Sequence, residues 1–125
     1  MTAKSLLILS AISGALCVAL GAFGAHALSD SLSLSQQATW RTASLYQLFH
    51  TLAAMFCLGC SGYLKDRDAV NIATGFLIGI LLFCTSLYAL ALGAPRWIGL
   101  ITPIGGLFWI SSWLYLAFST FKYQR

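Results

Sequence analysis

Four stretches of this chain are each long and apolar enough to cross a bilayer as α-helices, which leaves little room for another architecture. A spanning helix needs about 20 mainly apolar residues to cross a hydrocarbon core of roughly 30 Å. The stretches run over about 5–27, 42–64, 70–92 and 97–121. The first three end at Leu28-Ser29-Asp30-Ser31, at Lys65-Asp66-Arg67-Asp68 and at Gly93-Ala94-Pro95-Arg96. Membrane strands would alternate polar with apolar over about 10 residues, and these runs do not. The fold class expected is an all-α membrane protein, a compact antiparallel bundle of four transmembrane helices. It forms one transmembrane domain over 1–125.

Composition sharpens the point. Apolar types make up 59% of the chain and charged residues 8%, against roughly 25% in a water-soluble domain. A small domain has too much surface for its volume to hide that much apolar area from water. The basic residues are scattered, whereas nucleic-acid binding needs them clustered on one face; nucleic acid is not an expected partner, and the lipid bilayer is. Cys17, Cys57, Cys60 and Cys84 lie inside the apolar runs and read as small hydrophobic residues.

Lysine and arginine in short loops set orientation. With four spans, Lys4, Lys65, Arg67, Lys122 and Arg125 fall on one side and Arg41 and Arg96 on the other. Both termini are therefore expected in the cytoplasm, in a multi-pass membrane protein. Ala25-His26-Ala27 imitates a leader cleavage site, but the apolar run before it exceeds the roughly 7–15 residues of a leader core. It reads as a retained helix. The connection from Leu28 to Trp40 reads either as a short interfacial helix anchored by Trp40 at headgroup depth or as a polar loop.

Helices in lipid associate through small residues and a few polar contacts. Gly14, Gly21 and Gly24 supply a smooth face on the first helix; Gly75 and Gly79 form a GxxxG pair on the third; Gly105 and Gly106 follow Pro103 on the fourth. Packing within the chain is the first reading of the GxxxG pair, and pairing with a second copy of the chain the other.

Polar groups inside a membrane need a partner or a purpose. His26, Tyr46, Gln47, His50, Tyr88 and Thr102 form the candidate polar site. The spacing places Tyr46, Gln47 and His50 on one helix face, and the topology gathers all six in the extracytoplasmic half. Mutual satisfaction that fixes helix register is the plainer reading. A site for a lipid headgroup, a proton or a partner subunit is the sharper one. No cofactor is expected: measured from the inner helix ends, His26 and His50 differ in depth by about 9 Å, which disfavours a shared haem. No metal is expected either, because the cysteines are spread over too great a depth to share a tetrahedral ion. Without a carboxylate in any span the usual general base is missing, and the chain is not expected to be an enzyme.

Gly21-Ala-Phe-Gly-Ala-His-Ala-Leu28, Tyr46-Gln-x-x-His50-Thr-Leu-Ala53, Ser86-Leu-Tyr88 and Ile101-Thr-Pro-Ile-Gly-Gly106 resemble the signature blocks of the YgdD-like family. Cys84-Thr85 departs from the Ser-Gly that relatives tend to carry before the third block. The resemblance implies four spans, inner-membrane residence and no known activity. A non-enzymatic accessory or lipid-contacting membrane protein is the leading expectation. The alternative is a small transporter or proton-linked permease; small drug exporters match only in size and use a membrane glutamate absent here, so His50 and Tyr46 would have to serve.

Overall fold

The computed structural model describes residues 1–60 and 62–123. Arg125, counted above for orientation, lies outside the described residues, as do Ser61 and Gln124. Four long helices follow one another: α1 (Ala3–His26), α2 (Leu34–Gly59), α3 (Asp66–Ala91) and α4 (Ile101–Lys122), the last preceded by a 3-10 turn, Arg96–Leu100. No strand occurs among the described residues.

Three helical segments, Ala3–His26, Asp66–Ala91 and Arg96–Lys122, are long and apolar enough to cross a membrane. The expected span at 42–64 is not among them. The helix there begins earlier and ends earlier, over Leu34–Gly59. Its start is set by a capping box: the Ser33 hydroxyl accepts from the Gln36 amide at 3.2 Å, and the Gln36 side chain accepts from the Ser33 amide at 2.9 Å. Residues 34–40, open between an interfacial helix and a loop on sequence, are thus the first two turns of α2. Its mean hydropathy is lowered by Gln47, His50 and Thr51, all of which point inward. Outward it shows Leu45, Leu48, Phe49, Leu52 and Phe56.

Helices α1 and α4 share that inversion, whereas α3 buries Ile72, Phe76 and Ile80. Inward positions on α1 are Leu6, Ser10, Ser13 and Cys17, while Leu7, Ile8, Ile12, Leu16 and Val18 face out. On α4, Gly105, Trp109, Ser112 and Ser119 face in, and Leu107, Ile110, Leu114 and Phe118 face out. A bundle in water does the opposite, burying its large apolar side chains.

The central pair is α2 and α3. Against it α1 packs on α2, and α4 packs on α3. The middle of α3 is a π turn at Ile80–Cys84, a local widening that frees backbone groups. Ser86 Oγ donates to the Phe83 carbonyl at 2.8 Å there. The helix closes with a Schellman motif: Gly93 N–H bonds the Leu90 carbonyl and Ala94 N–H the Ala89 carbonyl. Gly93 takes φ +94°, a conformation that only glycine adopts freely, and Pro95 prevents continuation.

Two joints of the same construction hold the outer helices. At Gly24 of α1 the missing Cβ makes room for the Trp40 indole of α2, whose Nε1 donates to the Leu20 carbonyl at 2.8 Å. At Gly79 of α3 the Trp109 indole of α4 fills the same kind of notch, and its Nε1 donates to the Phe76 carbonyl at 3.1 Å. Trp40 is only 5% exposed, so it is a packing residue turned into the bundle, not the headgroup anchor that the interfacial-helix reading of 28–40 required. The Gly75 notch receives the Ser112 side chain, so both members of the GxxxG pair are occupied within the chain. Gly14 and Gly106 lie at ordinary contact distance from Thr51 and Phe83, and Gly21 faces open space.

Candidate functional site

The polar side chains of α2 lie in two rows. Successive residues point about 100° apart around a helix, so residues four apart share a row and adjacent residues do not. Gln47 and Thr51 face α1 and α3; Tyr46 and His50 face α4. The single face expected for Tyr46, Gln47 and His50 is therefore divided, because the i, i+4 relation holds Tyr46 to His50 and leaves Gln47 on the neighbouring row.

The first row builds a closed hydrogen-bond chain across three helices. Gln47 Nε2 donates to the Ser13 carbonyl at 3.1 Å and to Ser13 Oγ at 3.3 Å, and Ser13 Oγ shares a hydrogen bond with Thr51 Oγ1 at 2.8 Å. Tyr88 OH donates to Gln47 Oε1 at 2.8 Å. With its proton committed there, Tyr88 accepts from Ser44 Oγ at 3.1 Å. Cys17 Sγ donates to the Ser44 carbonyl at 3.2 Å. Trp40 packs edge-on to Tyr88, ring centroids 4.6 Å apart, and screens the outer end. Among the described residues no buried side-chain nitrogen or oxygen lacks a partner. Changing Tyr88 to Phe should leave the Gln47 carbonyl unpaired and cost about 0.6–1.7 kcal/mol, the range of single interhelical hydrogen bonds in a membrane protein. Thermal unfolding in detergent reads it, and an unchanged midpoint would show that the chain does not hold the bundle.

The second row is aromatic. His50 is 7% exposed. Its Nδ1 lies 2.8 Å from the Tyr46 carbonyl, which can only accept, so Nδ1 carries the proton. Nε2 then accepts from Trp113 Nε1 at 3.4 Å. The imidazole lies flat on Trp109, centroids 3.7 Å apart and planes within 1°. Phe83 and Tyr46 flank the same indole at 4.5 and 5.8 Å. Both nitrogens and one face of the His50 ring are thus taken up by the fold.

Thr102 donates to Ser86 Oγ at 2.6 Å, since Ser86 gives its own proton to Phe83; this links α3 to the start of α4. His26 stands apart. It ends α1 with an exposed side chain, and the bond recorded there runs from Ser29 Oγ to its carbonyl. Of the six candidates the structure joins Gln47 to Tyr88, and Tyr46 to His50, while Thr102 belongs to a third contact. Trp109, Trp113, Ser13, Ser44 and Thr51 complete these groups. The signal for Ser13 was present in the sequence: Ser10, Ser13 and Cys17 recur at helical spacing on α1, small and weakly polar among leucines.

Because α1 leans on α2 more than on α3, a cleft of about 450 Å³ opens between α1 and α3. Leu9, Ile12, Leu16 and Leu20 form one wall and Leu77, Ile78 and Leu81 the other. Ser13, Gln47 and Tyr88 make the floor, with Thr74 and Thr85 beside them. No charged side chain lines it. From Leu6 to Leu20 the wall extends about 21 Å at the helical rise per residue. Such a space accepts hydrocarbon and offers hydroxyl and amide contacts at its base. The four cysteines are free thiols, and no group of three or more His, Cys, Asp or Glu side chains gathers among the described residues.

The family model described as protein of unknown function (DUF423) matches residues 20–106. A UPF0382 membrane protein of Haemophilus influenzae is 45% identical over 93% of this chain and 93% of its own length. One from Staphylococcus saprophyticus is 40% identical over 95% and 98%. The UPF0382 inner membrane protein YgdD of Escherichia coli is 38% identical over 100% and 95%. No solved structure matches the chain.

Proposed function

The chain belongs to the DUF423 family, whose relatives are named membrane proteins, and from that premise we propose that it is a non-enzymatic, lipid-contacting protein that crosses the bacterial inner membrane four times and seats a lipid chain between α1 and α3. The open cleft carries this reading. Its walls are leucine and isoleucine, it faces the surrounding bilayer, and its polar floor is already hydrogen-bonded. A floor so satisfied asks no strong donor or acceptor of its occupant, which suits an acyl chain. The lining residues include no Asp, Glu or His, the side chains that most often serve as a general base.

Four spans are supported by α2 itself. Leu34–Gly59 is about 39 Å long at the helical rise, enough to cross the hydrocarbon core, and beyond the exposed Arg41 and Thr42 its outward face is Leu45, Leu48, Phe49, Leu52 and Phe56 with Tyr46, while Gln47, His50 and Thr51 are enclosed. The lysine and arginine distribution favours both termini in the cytoplasm, and the name of the Escherichia coli relative favours the inner membrane. For the transporter reading, His50 would have to exchange protons. Its ring is instead engaged by Tyr46, Trp109 and Trp113, which supports a structural role.

Native mass spectrometry from mild detergent should find about one phospholipid retained per chain. Ile12→Trp, which projects a large ring into the cleft from an exposed position, should displace it, whereas Val18→Trp, outside the cleft, should not. Equal lipid retention by Ile12→Trp and the parent would sink the proposal.

A further inference from the structure

At the end of the bundle where α2 passes to α3 and α4 finishes, a pocket of about 190 Å³ lies between the two segments. Lys65 and Arg67 reach it from the start of α3 and Lys122 from the end of α4; Asp68 is the one carboxylate among its lining residues. That carboxylate is already engaged: Tyr115 OH donates to Asp68 Oδ1 at 2.9 Å, and Arg67 Nε lies 3.8 Å from the same atom. Among the described residues Lys65 and Lys122 form no ion pair. Lys122 Nζ instead rests 4.4 Å over the Phe118 ring, which holds the ammonium near the pocket mouth. A site with three cations and one occupied carboxylate favours an anion.

The surroundings say what the anion is attached to. Phe118 borders the pocket and belongs to an outward face with Leu114 and Phe121, which are 67% and 89% exposed. Residues at i, i+4 and i+7 form one stripe along a helix, so an apolar track runs from the pocket mouth up the side of α4. A soluble phosphate has no use for that track; a phospholipid would lay its acyl chains along it. The hollow at the far end of the bundle that holds Arg41 has no second cation among its lining residues.

We infer that Lys65, Arg67 and Lys122 form a site for the phosphodiester headgroup of an anionic phospholipid, whose tails run along Leu114, Phe118 and Phe121. Basic pockets between membrane helices on the cytoplasmic side hold anionic headgroups in this way. The inference rests on the membrane-spanning reading above, but not on occupancy of the α1–α3 cleft.

The test compares phosphatidylglycerol with phosphatidylcholine, titrated against the full chain in mild detergent and read by native mass spectrometry. The parent should prefer the anionic lipid, and the double variant K65Q/K122Q should reduce that preference about tenfold or more, with an unchanged melting temperature. An undiminished preference in K65Q/K122Q overturns the headgroup site. Ile12→Trp should keep the preference while losing the cleft lipid, so the two sites fail separately. Glycerol phosphate added in excess should not displace phosphatidylglycerol; displacement would reassign the site to a soluble phosphate and overturn the lipid assignment.

Discussion

Replacing Gly105 by alanine should cost about 1–3 kcal/mol, and replacing it by leucine should displace α4 from the bundle. A Cβ built at Gly105 falls 2.6 Å from the Phe83 backbone nitrogen, 2.8 Å from Phe83 Cβ and 3.0 Å from the Gly79 carbonyl oxygen. Two of these atoms are main chain, in and beside the π turn of α3, and the third is a Cβ whose place the backbone fixes, so no rotamer change relieves the overlap. The added methyl must push the two helices apart, and helix association in lipid depends on such close approach. Gly106 is the internal control. A Cβ there meets Phe83 Cδ2 at 4.0 Å, an ordinary contact, and alanine favours a helix over glycine by about 1 kcal/mol. Gly106→Ala should therefore be neutral or mildly stabilising. Circular-dichroism melts of both variants in the same detergent separate the cases; a Gly105→Ala protein that melts with the parent would show that the contact is not tight in solution.

Gly105 also shows what a sequence reveals and withholds. The glycines could be picked out as packing residues, because a small side chain in an apolar helix has few other uses. Which of them touch backbone, side chain or nothing depends on the helix neighbours, and no spacing within one helix contains that. Gly21 and Gly24 look alike in the sequence, yet only Gly24 receives a tryptophan. The helices themselves were legible from runs of apolar residues. The start of α2 was not, because the run begins near Thr42 whereas the helix begins at the Ser33 capping box, among Ser and Gln that look like loop. Helix formation responds to capping and backbone bonding, and hydropathy to lipid, so the two boundaries need not coincide. The same limit applies to the polar residues. Tyr46, Gln47 and His50 were visible as costly groups in a membrane, but whether they act together depends on whether α1 and α4 lie on the same side of α2. They lie on different sides, and one expected cluster becomes two.

Trp109 is the residue on which the second of those clusters turns. Its indole fills the Gly79 notch, stacks on His50 and packs against Phe83, and it is almost fully buried. Trp109→Ala should cost about 3 kcal/mol, the lower end for a large buried aromatic, because lipid removes the water-transfer part of the loss and leaves the packing part. Trp109→Phe should lose far less. A ring still covers His50, and the Phe76 carbonyl gives up the indole N–H at 3.1 Å yet keeps the Ile80 amide as a helical partner. The decisive measurement is a double-mutant cycle with Gly79→Ala. Alone, Gly79→Ala places its methyl inside the Trp109 ring and should be strongly destabilising. In the Trp109→Ala background the same methyl enters vacated space and should be neutral or favourable. A coupling energy near zero in detergent melts would mean that the indole does not occupy the Gly79 notch. A coupling on the order of 1–3 kcal/mol would establish the glycine–tryptophan joint as what fastens α4 to α3.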